Sequence, residues 1–312
     1  MQQILEPVAD PEPSAAYPDV LRRGNQAVIR CILGVLIGLS GYAIIVPLVA
    51  QLAAGVGWLV RRPGGSFADY SKRALSYQLP EGLAATHLGL AMLIPISIAL
   101  VWGWHRIRPA WLASVQPGMR WRYLLGCLVI AAVSLNAVMW ISQWGQSPTW
   151  SVPAQAWLWV LFVVLLSPLQ AAGEEFFFRG YLLQALGGIT RNRWVAVVAT
   201  ALVFALFHGV QNVWLFVDRF AFGLLAGALV VLTGGIEAGI AAHVVNNVFA
   251  FGYAIFSGGA ASAKGVTEIT AMAAVWDVAG FAVTAALCWW FGRRLNVADR
   301  TPADLSAGAG VL

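Results

Sequence analysis

The 312-residue sequence predicts an all-α, polytopic transmembrane helical bundle, and three observations lead there. Hydrophobic residues make up 60% of the chain, whereas Asp, Glu, Lys and Arg together make up 11%. Mean hydropathy is +0.74, well beyond what a soluble domain of this size carries. About eight apolar windows are long enough to cross a bilayer, which takes roughly 20 residues each.

Residues 1–25 are acidic and proline-bearing, with Arg22 and Arg23 just ahead of the first apolar window, and they read as a short disordered tail. The transmembrane domain is expected over 26–295, with spans near 28–52, 83–104, 123–143, 157–186, 194–215, 216–233, 236–257 and 270–292, and a C-terminal tail follows over 296–312. The first three spans carry few ionisable groups beyond Arg30 and His87. Cys31, Cys127 and Cys288 each fall inside a span without CxxC spacing, as buried packing residues would.

The formal net charge of +5 would suggest a nucleic-acid partner in a soluble protein. Here the basic residues cluster at span ends, so they report orientation in the bilayer and no nucleic-acid partner is expected. With the N-terminus inside, the inner segments hold Arg22, Arg23, Arg106, Arg108, Arg120, Arg122, Arg179, Arg191, Arg193, Arg293, Arg294 and Arg300, and the outer loops hold Arg61, Arg62, Lys72, Arg73 and Lys264. That bias favours a multi-pass protein of the plasma membrane with both termini cytoplasmic, although the first outer loop dissents.

Three polar clusters interrupt the later spans, within a core of about 157–256. They are Glu174-Glu175 with Arg179 in GEEFFFRG, His208 in FALFHG, and His243 with Asn246 and Asn247 in AAHVVNN. A charge at the centre of a span costs about 2.5 to 3.5 kcal/mol on insertion scales, so such groups point to function. Glu175 and Arg179 are spaced i, i+4 with the acid first, the favourable order for a helical ion pair. Glu174 is then left without the arginine, beside a like charge, as a candidate general base. At 1.5 Å per residue Glu174 lies roughly 18 Å before a helix end near Leu186, and His208 lies roughly 21 Å after a helix start near Trp194. The same rise puts His243 about 12 Å beyond the turn at Thr233-Gly234-Gly235, so a carboxylate, two imidazoles and the Asn247 amide can converge inside one bundle.

Two mechanisms remain open for this set. Glu174 activates a water while a histidine moves the proton and Asn247 with the other histidine polarises the carbonyl. Alternatively, His208, His243 and Glu174 hold a Zn²⁺ whose bound water is the nucleophile. Asn is not a usual zinc ligand, which favours the metal-free form. Either route hydrolyses an amide in or near the membrane, on a peptide or membrane-protein substrate, lipidated or not.

The motifs EEFFFR, FALFH and HVVNN, in this order on successive apolar segments, resemble the EExxxR, FxxxH and HxxxN motifs of the CAAX-protease and bacteriocin-processing (CPBP, or Abi) family of intramembrane endopeptidases. The resemblance covers about Trp157 to Phe256. It implies that Glu174 is the catalytic glutamate, that His208, His243 and Asn247 are active-site positions, and that Glu175 and Arg179 support them. It also implies a CAAX-endopeptidase-like activity, of disputed metal dependence.

Other readings fit the residues less well, with a catalytically silent scaffold or immunity protein, and then a proton-coupled transporter, kept as the alternatives. Gly38-Leu39-Ser40-Gly41 matches the GxSG of rhomboid proteases, but glycines in a first span are more often packing contacts. HExxH and GxGD are absent from the sequence. A proton-coupled transporter would place polar residues in both halves of the chain. A catalytically silent scaffold or immunity protein would not need the full set of Glu174, His208, His243 and Asn247. Asp218-Arg219 is expected as a local pair, Glu237 near the inner interface, and His87 and His105 as interfacial histidines.

Overall fold

The computed structural model describes residues 7–147 and 149–305. Its secondary structure is helical throughout, and seven helical stretches are long and apolar enough to cross a membrane. The first is α1 (Ala27–Arg61), followed by the short helix α2 (Phe67–Leu75). The chain returns through α3 (Pro80–Ala91) and α4 (Leu93–Ala99), which continue as the π-helical Leu100–Trp104. It crosses again in α5 (Trp121–Ser142) and α6 (Ala156–Glu175), then passes through the π-helical segment Phe176–Leu182 into α7 (Leu183–Thr190). The remaining helices are α8 (Arg193–Leu206), α9 (Val213–Thr233), α10 (Glu237–Ser257), the short α11 (Ala260–Lys264) and α12 (Ala271–Arg294).

Seven of the eight expected spans therefore correspond to full-length helices, and the expected span 194–215 does not. Its helix, α8, is 14 residues long, about 21 Å, short of the roughly 30 Å hydrocarbon core. The stop has a local cause. Gly209 takes φ +80°, and Asn212 caps the next helix by accepting a hydrogen bond from the Leu215 amide, so HGVQN is a turn and not a helix interior.

The packing follows the apolar pattern. On α1, Leu36, Ile44, Leu48 and Leu52 are exposed along one side, as lipid-facing residues are, while Cys31, Gly34, Gly38 and Ala50 face the bundle. The core gathers around Phe177, Phe178, Tyr181, Phe204 and Phe222. All three cysteines are free and buried. Ser40 lies on the exposed side of α1, away from the polar centre.

The N-terminal segment corrects an expectation. Residues 7–25, read as a disordered tail, are ordered against the arginine-rich end of the bundle. Tyr17, Val20 and Leu21 are buried, and the Tyr17 hydroxyl donates to the Leu112 carbonyl. The Ala15 amide donates to Thr301 Oγ1 at 2.8 Å, and the Thr301 amide donates to the Ala15 carbonyl at 2.9 Å, so the described ends of the chain lie side by side. Three apolar anchors supply the burial that a proline-rich composition conceals. Residues 1–6 lie outside the described residues.

Glu237, expected near the inner interface, is the first residue of α10. It is fully buried, where a bidentate pair with Arg120 holds it, at 2.8 Å from Nε to Oε1 and 2.7 Å from Nη2 to Oε2. Arg120 Nη1 further donates to the Thr233 and Ala298 carbonyls, which ties the start of α5, the end of α9, the start of α10 and the C-terminal segment together. His87 and His105 are buried inside the bundle, and His105 directly follows Trp104, the last residue of a candidate span. His87 Nδ1 donates to the Leu83 carbonyl at 2.8 Å and its Nε2 faces Ser167 Oγ at 3.3 Å, while His105 Nε2 meets the Tyr181 hydroxyl at 3.3 Å.

Candidate active site

The polar centre is built mainly between α6 and α10, which run antiparallel and meet in two rungs. Gln170 and Glu174 stand one turn apart on α6, and His243 and Asn247 stand one turn apart on α10. Asn247 Nδ2 donates to Gln170 Oε1 at 2.7 Å, and one turn deeper His243 Nε2 lies 3.3 Å from Glu174 Oε2.

His243 is clasped on both sides. Its Nδ1 donates to Glu175 Oε1 at 2.9 Å, and the same oxygen accepts from Arg179 Nη1 at 2.8 Å. Glu175 is completely buried and Arg179 is 1% exposed. Uncompensated, either charge would be costly inside the bundle. The guanidinium also lies over the faces of Phe204, at 4.1 Å, and Phe222, at 5.0 Å, which favours the cation where water is excluded. Gly239 lets Glu175 reach α10, because a Cβ there would come within 2.7 Å of Glu175 Oε2.

The expected Glu175–Arg179 pair is present, although the segment between and beyond the two residues is π-helical. The wider turn sends Phe177, Phe178 and Tyr181 inward, so these rings are core and not lipid-facing surface. Phe177 and Phe178 meet edge-on at 5.2 Å, and Phe178 meets Phe204 edge-on at 5.2 Å.

His208 stands apart from this contact chain. It sits in the turn after α8, with Nδ1 donating to the Phe204 carbonyl at 2.8 Å and its ring 4.5 Å from the Phe204 ring. Phe204 in turn lies 6.1 Å from the His243 ring, so the two histidines flank one phenylalanine. Glu174, Arg219 and His243 all lie within electrostatic reach of His208.

Glu174, Glu175, Arg179 and His243 are thus in direct contact and Asn247 is one turn away, whereas His208, exposed in the turn after α8, packs on Phe204. Asn246 Nδ2 donates to Asn247 Oδ1 at 3.2 Å, which orients the Asn247 amide. Arg219 donates to Gln211 Oε1 at 2.7 Å, and Asp218 lies within electrostatic reach of Arg219 and of Asp277 on α12.

A Zn²⁺ held by His208, His243 and Glu174 does not fit this arrangement. Among the described residues no three His, Cys, Asp or Glu side chains come close enough to hold a metal ion. Both nitrogens of His243 already face carboxylates.

Sequence reading did not single out Gln170 or Gly239, nor the bond between Glu175 and His243. Gln170 carried a signal, as a polar residue one turn before Glu174 in SPLQAAGEE. The Glu175–His243 bond joins residues 68 apart and carried none.

Fold and site together define a multi-pass membrane protein with a buried acid–histidine centre inside its helical bundle. Residues 153–249, which include all these residues, match the family described as type II CAAX prenyl endopeptidase Rce1-like. The chain accordingly carries a CAAX-protease-like domain, consistent with the CPBP family that its motifs resemble. It is also similar to the Uncharacterized protein YyaK of Bacillus subtilis (strain 168), at 34% identity over 103 residues, which is 31% of this chain and 34% of that protein. The match spans about a third of the length of that relative.

Proposed function

We propose that the chain is an intramembrane endopeptidase of the plasma membrane, with both termini cytoplasmic, that cleaves a peptide bond in or near the bilayer with water activated by Glu174. The observation that carries this reading is the clasp of His243 between two adjacent glutamates, one of them locked by Arg179. Because Nδ1–H of His243 donates a hydrogen bond to Glu175, Nε2 presents either a lone pair or a second N–H to Glu174. Two lone pairs would repel at 3.3 Å, so Glu174 and His243 share one proton.

In the reaction Glu174 takes a proton from the attacking water as the water oxygen adds to the carbonyl carbon, and then passes it to the leaving nitrogen. His243 moves its proton toward Glu174 or away from it as the charge changes, held in place by Glu175. The second N–H of the Asn247 amide is free of Gln170 and can donate to the oxyanion. His208, with Nδ1 bound to the Phe204 carbonyl, offers Nε2 to the second proton of the water. The residues do not fit a zinc site, and no step is assigned to a metal.

A cavity of about 480 Å³ lies between the first half of α6 and the second half of α10, lined by Val160, Val163, Val164, Val248 and Phe249, and none of its described lining residues belongs to the Glu174–His243 centre. Its apolar lining suits an apolar peptide segment or a lipid chain on the substrate.

The test is cleavage of a prenylated CAAX-type peptide, and of its unprenylated form, by protein reconstituted in liposomes. Glu174→Gln is expected to lower turnover about 10²- to 10⁴-fold, and a metal chelator is expected to leave the wild type unchanged. Wild-type turnover in Glu174→Gln would overturn the assignment. Failure of the wild type to cleave any membrane peptide offered would favour a catalytically silent scaffold or immunity protein.

A further inference from the structure

Two cations near the polar centre have no part in the proposed mechanism. Arg219 lies on α9, two turns past the Asn212 cap and about 10 Å into a span. Its Nη1 donates to the neutral amide of Gln211 at 2.7 Å, and Asp218 and Glu174 act on it through space. Lys264 ends α11, with its ammonium 5.2 Å from the centre of the Tyr77 ring and Glu174 within electrostatic reach. A guanidinium inside a span whose direct partner is neutral points to a function.

The turns at this end of the bundle set both cations around Glu174. The Asn212 amide donates to the Thr267 carbonyl at 2.7 Å, and Asn212 Nδ2 donates to the Ile269 carbonyl at 2.8 Å. These bonds tie the loop after α11 to the turn that carries His208. Gln211, in the same turn, donates to the Ala205 carbonyl at 2.7 Å and accepts from Arg219, so the turn aims the guanidinium. Tyr77, in the turn between α2 and α3, lies under Lys264 and is itself within electrostatic reach of Glu174. The polar centre does not need either cation for its own balance, because Arg179 pairs with Glu175 and His243 lies between the two glutamates.

We infer that Lys264 and Arg219 hold a carboxylate of the bound substrate, a few residues from the scissile bond. The inference rests on the peptidase reading of Glu174 and adds the substrate chemistry that this site selects. Arg219 offers a fork that matches a carboxylate, and the exposed Lys264 offers a point charge on a flexible stem. Electrostatic reach in salt is about 10 Å and an extended residue covers about 3.3 Å, which sets the spacing from the cleaved bond. The anion belongs to the substrate, because Glu174 repels an anion that no other part of a bound chain anchors. Two sources share this chemistry, the chain terminus and an Asp or Glu side chain.

The experiment compares kcat/KM in liposomes for three forms of one membrane peptide: the free acid, the C-terminal amide, and the amide with an Asp beside its end. The wild type should cleave a form that carries the carboxylate roughly tenfold better than the plain amide, as one charge-assisted contact implies. Preference for the free acid assigns the pair to the chain terminus, and equal preference for the Asp form assigns it to any carboxylate. In Lys264→Gln and in Arg219→Gln the ratio to the plain amide should fall toward one, with the change in KM. Lys264→Arg and Arg219→Lys should recover most of the ratio, which separates lost charge from a folding defect. Lys72→Gln, which removes an exposed cation of α2, should keep it. A wild type that treats all three peptides alike would overturn the subsite. So would glutamine variants that slow every form equally, since the cations would then act on Glu174 alone. If no form is cleaved, the peptidase reading fails separately, and calorimetric binding of the three peptides decides the subsite. Binding that favours a carboxylate and loses that preference in the glutamine variants supports it, and equal binding overturns it.

Discussion

If Glu175 positions His243 and is not merely the partner of Arg179, stability and activity can be separated by removing both charges. Arg179→Met leaves the Glu175 carboxylate fully buried with only His243 to face it, and Glu175→Gln leaves the Arg179 guanidinium buried between Phe204 and Phe222. Breaking a buried pair from one side costs about 3 to 5 kcal/mol, because the surviving charge has lost its compensation. In Glu175→Gln/Arg179→Met no charge remains, so most of that loss should be regained and a coupling of about 2 to 3 kcal/mol should appear in the double-mutant cycle. Activity should not follow. His243 still lacks the carboxylate that accepts from Nδ1 at 2.9 Å, so turnover should stay about 10²-fold or more below wild type. Equilibrium unfolding in mixed detergent micelles reads the first quantity, and cleavage of a membrane peptide reads the second. A double variant as unstable as the singles would refute the paired-charge account. A double variant with wild-type turnover would refute the positioning role of Glu175.

Three further outcomes follow from the same geometry. Gly239→Ala should lower turnover at least about tenfold, because its Cβ would stand 2.7 Å from Glu175 Oε2 while Arg179 and His243 hold that side chain in place; unchanged kinetics would show that Glu175 can give way. Arg120→Ala should destabilise the protein by about 3 to 5 kcal/mol in the same unfolding assay, since it strands the fully buried Glu237 and frees the Thr233 and Ala298 carbonyls. His105 gives a pH signature. Above its unfolded value of 6.5 both states are neutral, and as pH falls toward about 4 the unfolded chain takes up a proton that the folded one refuses. Stability should therefore fall by up to about 3 kcal/mol over that window, and His105→Gln should flatten the profile between pH 6.5 and 4.

The fold was legible where hydrophobicity alone decides it. Seven helices follow windows of apolar residues, because a span needs length and composition and little else. The short α8 was misjudged because Phe207 and Val210 keep the local hydropathy high across a turn made by Gly209 and Asn212. The N-terminal segment was misjudged for the opposite reason, since Tyr17, Val20 and Leu21 are too few to lift its composition but enough to anchor it. In the polar centre, residues related along one helix could be read from spacing, as the Glu175–Arg179 pair was. Relations between helices could be judged only by depth. Counting along helices brought Glu174 and His208 to similar depth with His243 nearer the helix start, but it could not show both histidines packed on Phe204 or Glu175 reaching His243.

The central claim is that Glu174 delivers water to a peptide bond. Its most direct measurement is mass spectrometry of the cleavage products formed in H₂¹⁸O by the wild type and by Glu174→Gln at matched protein concentration. The account predicts one ¹⁸O in the new carboxylate of the wild-type product, and product from Glu174→Gln reduced about 10²-fold or more. Labelled product at the wild-type rate from Glu174→Gln would contradict it.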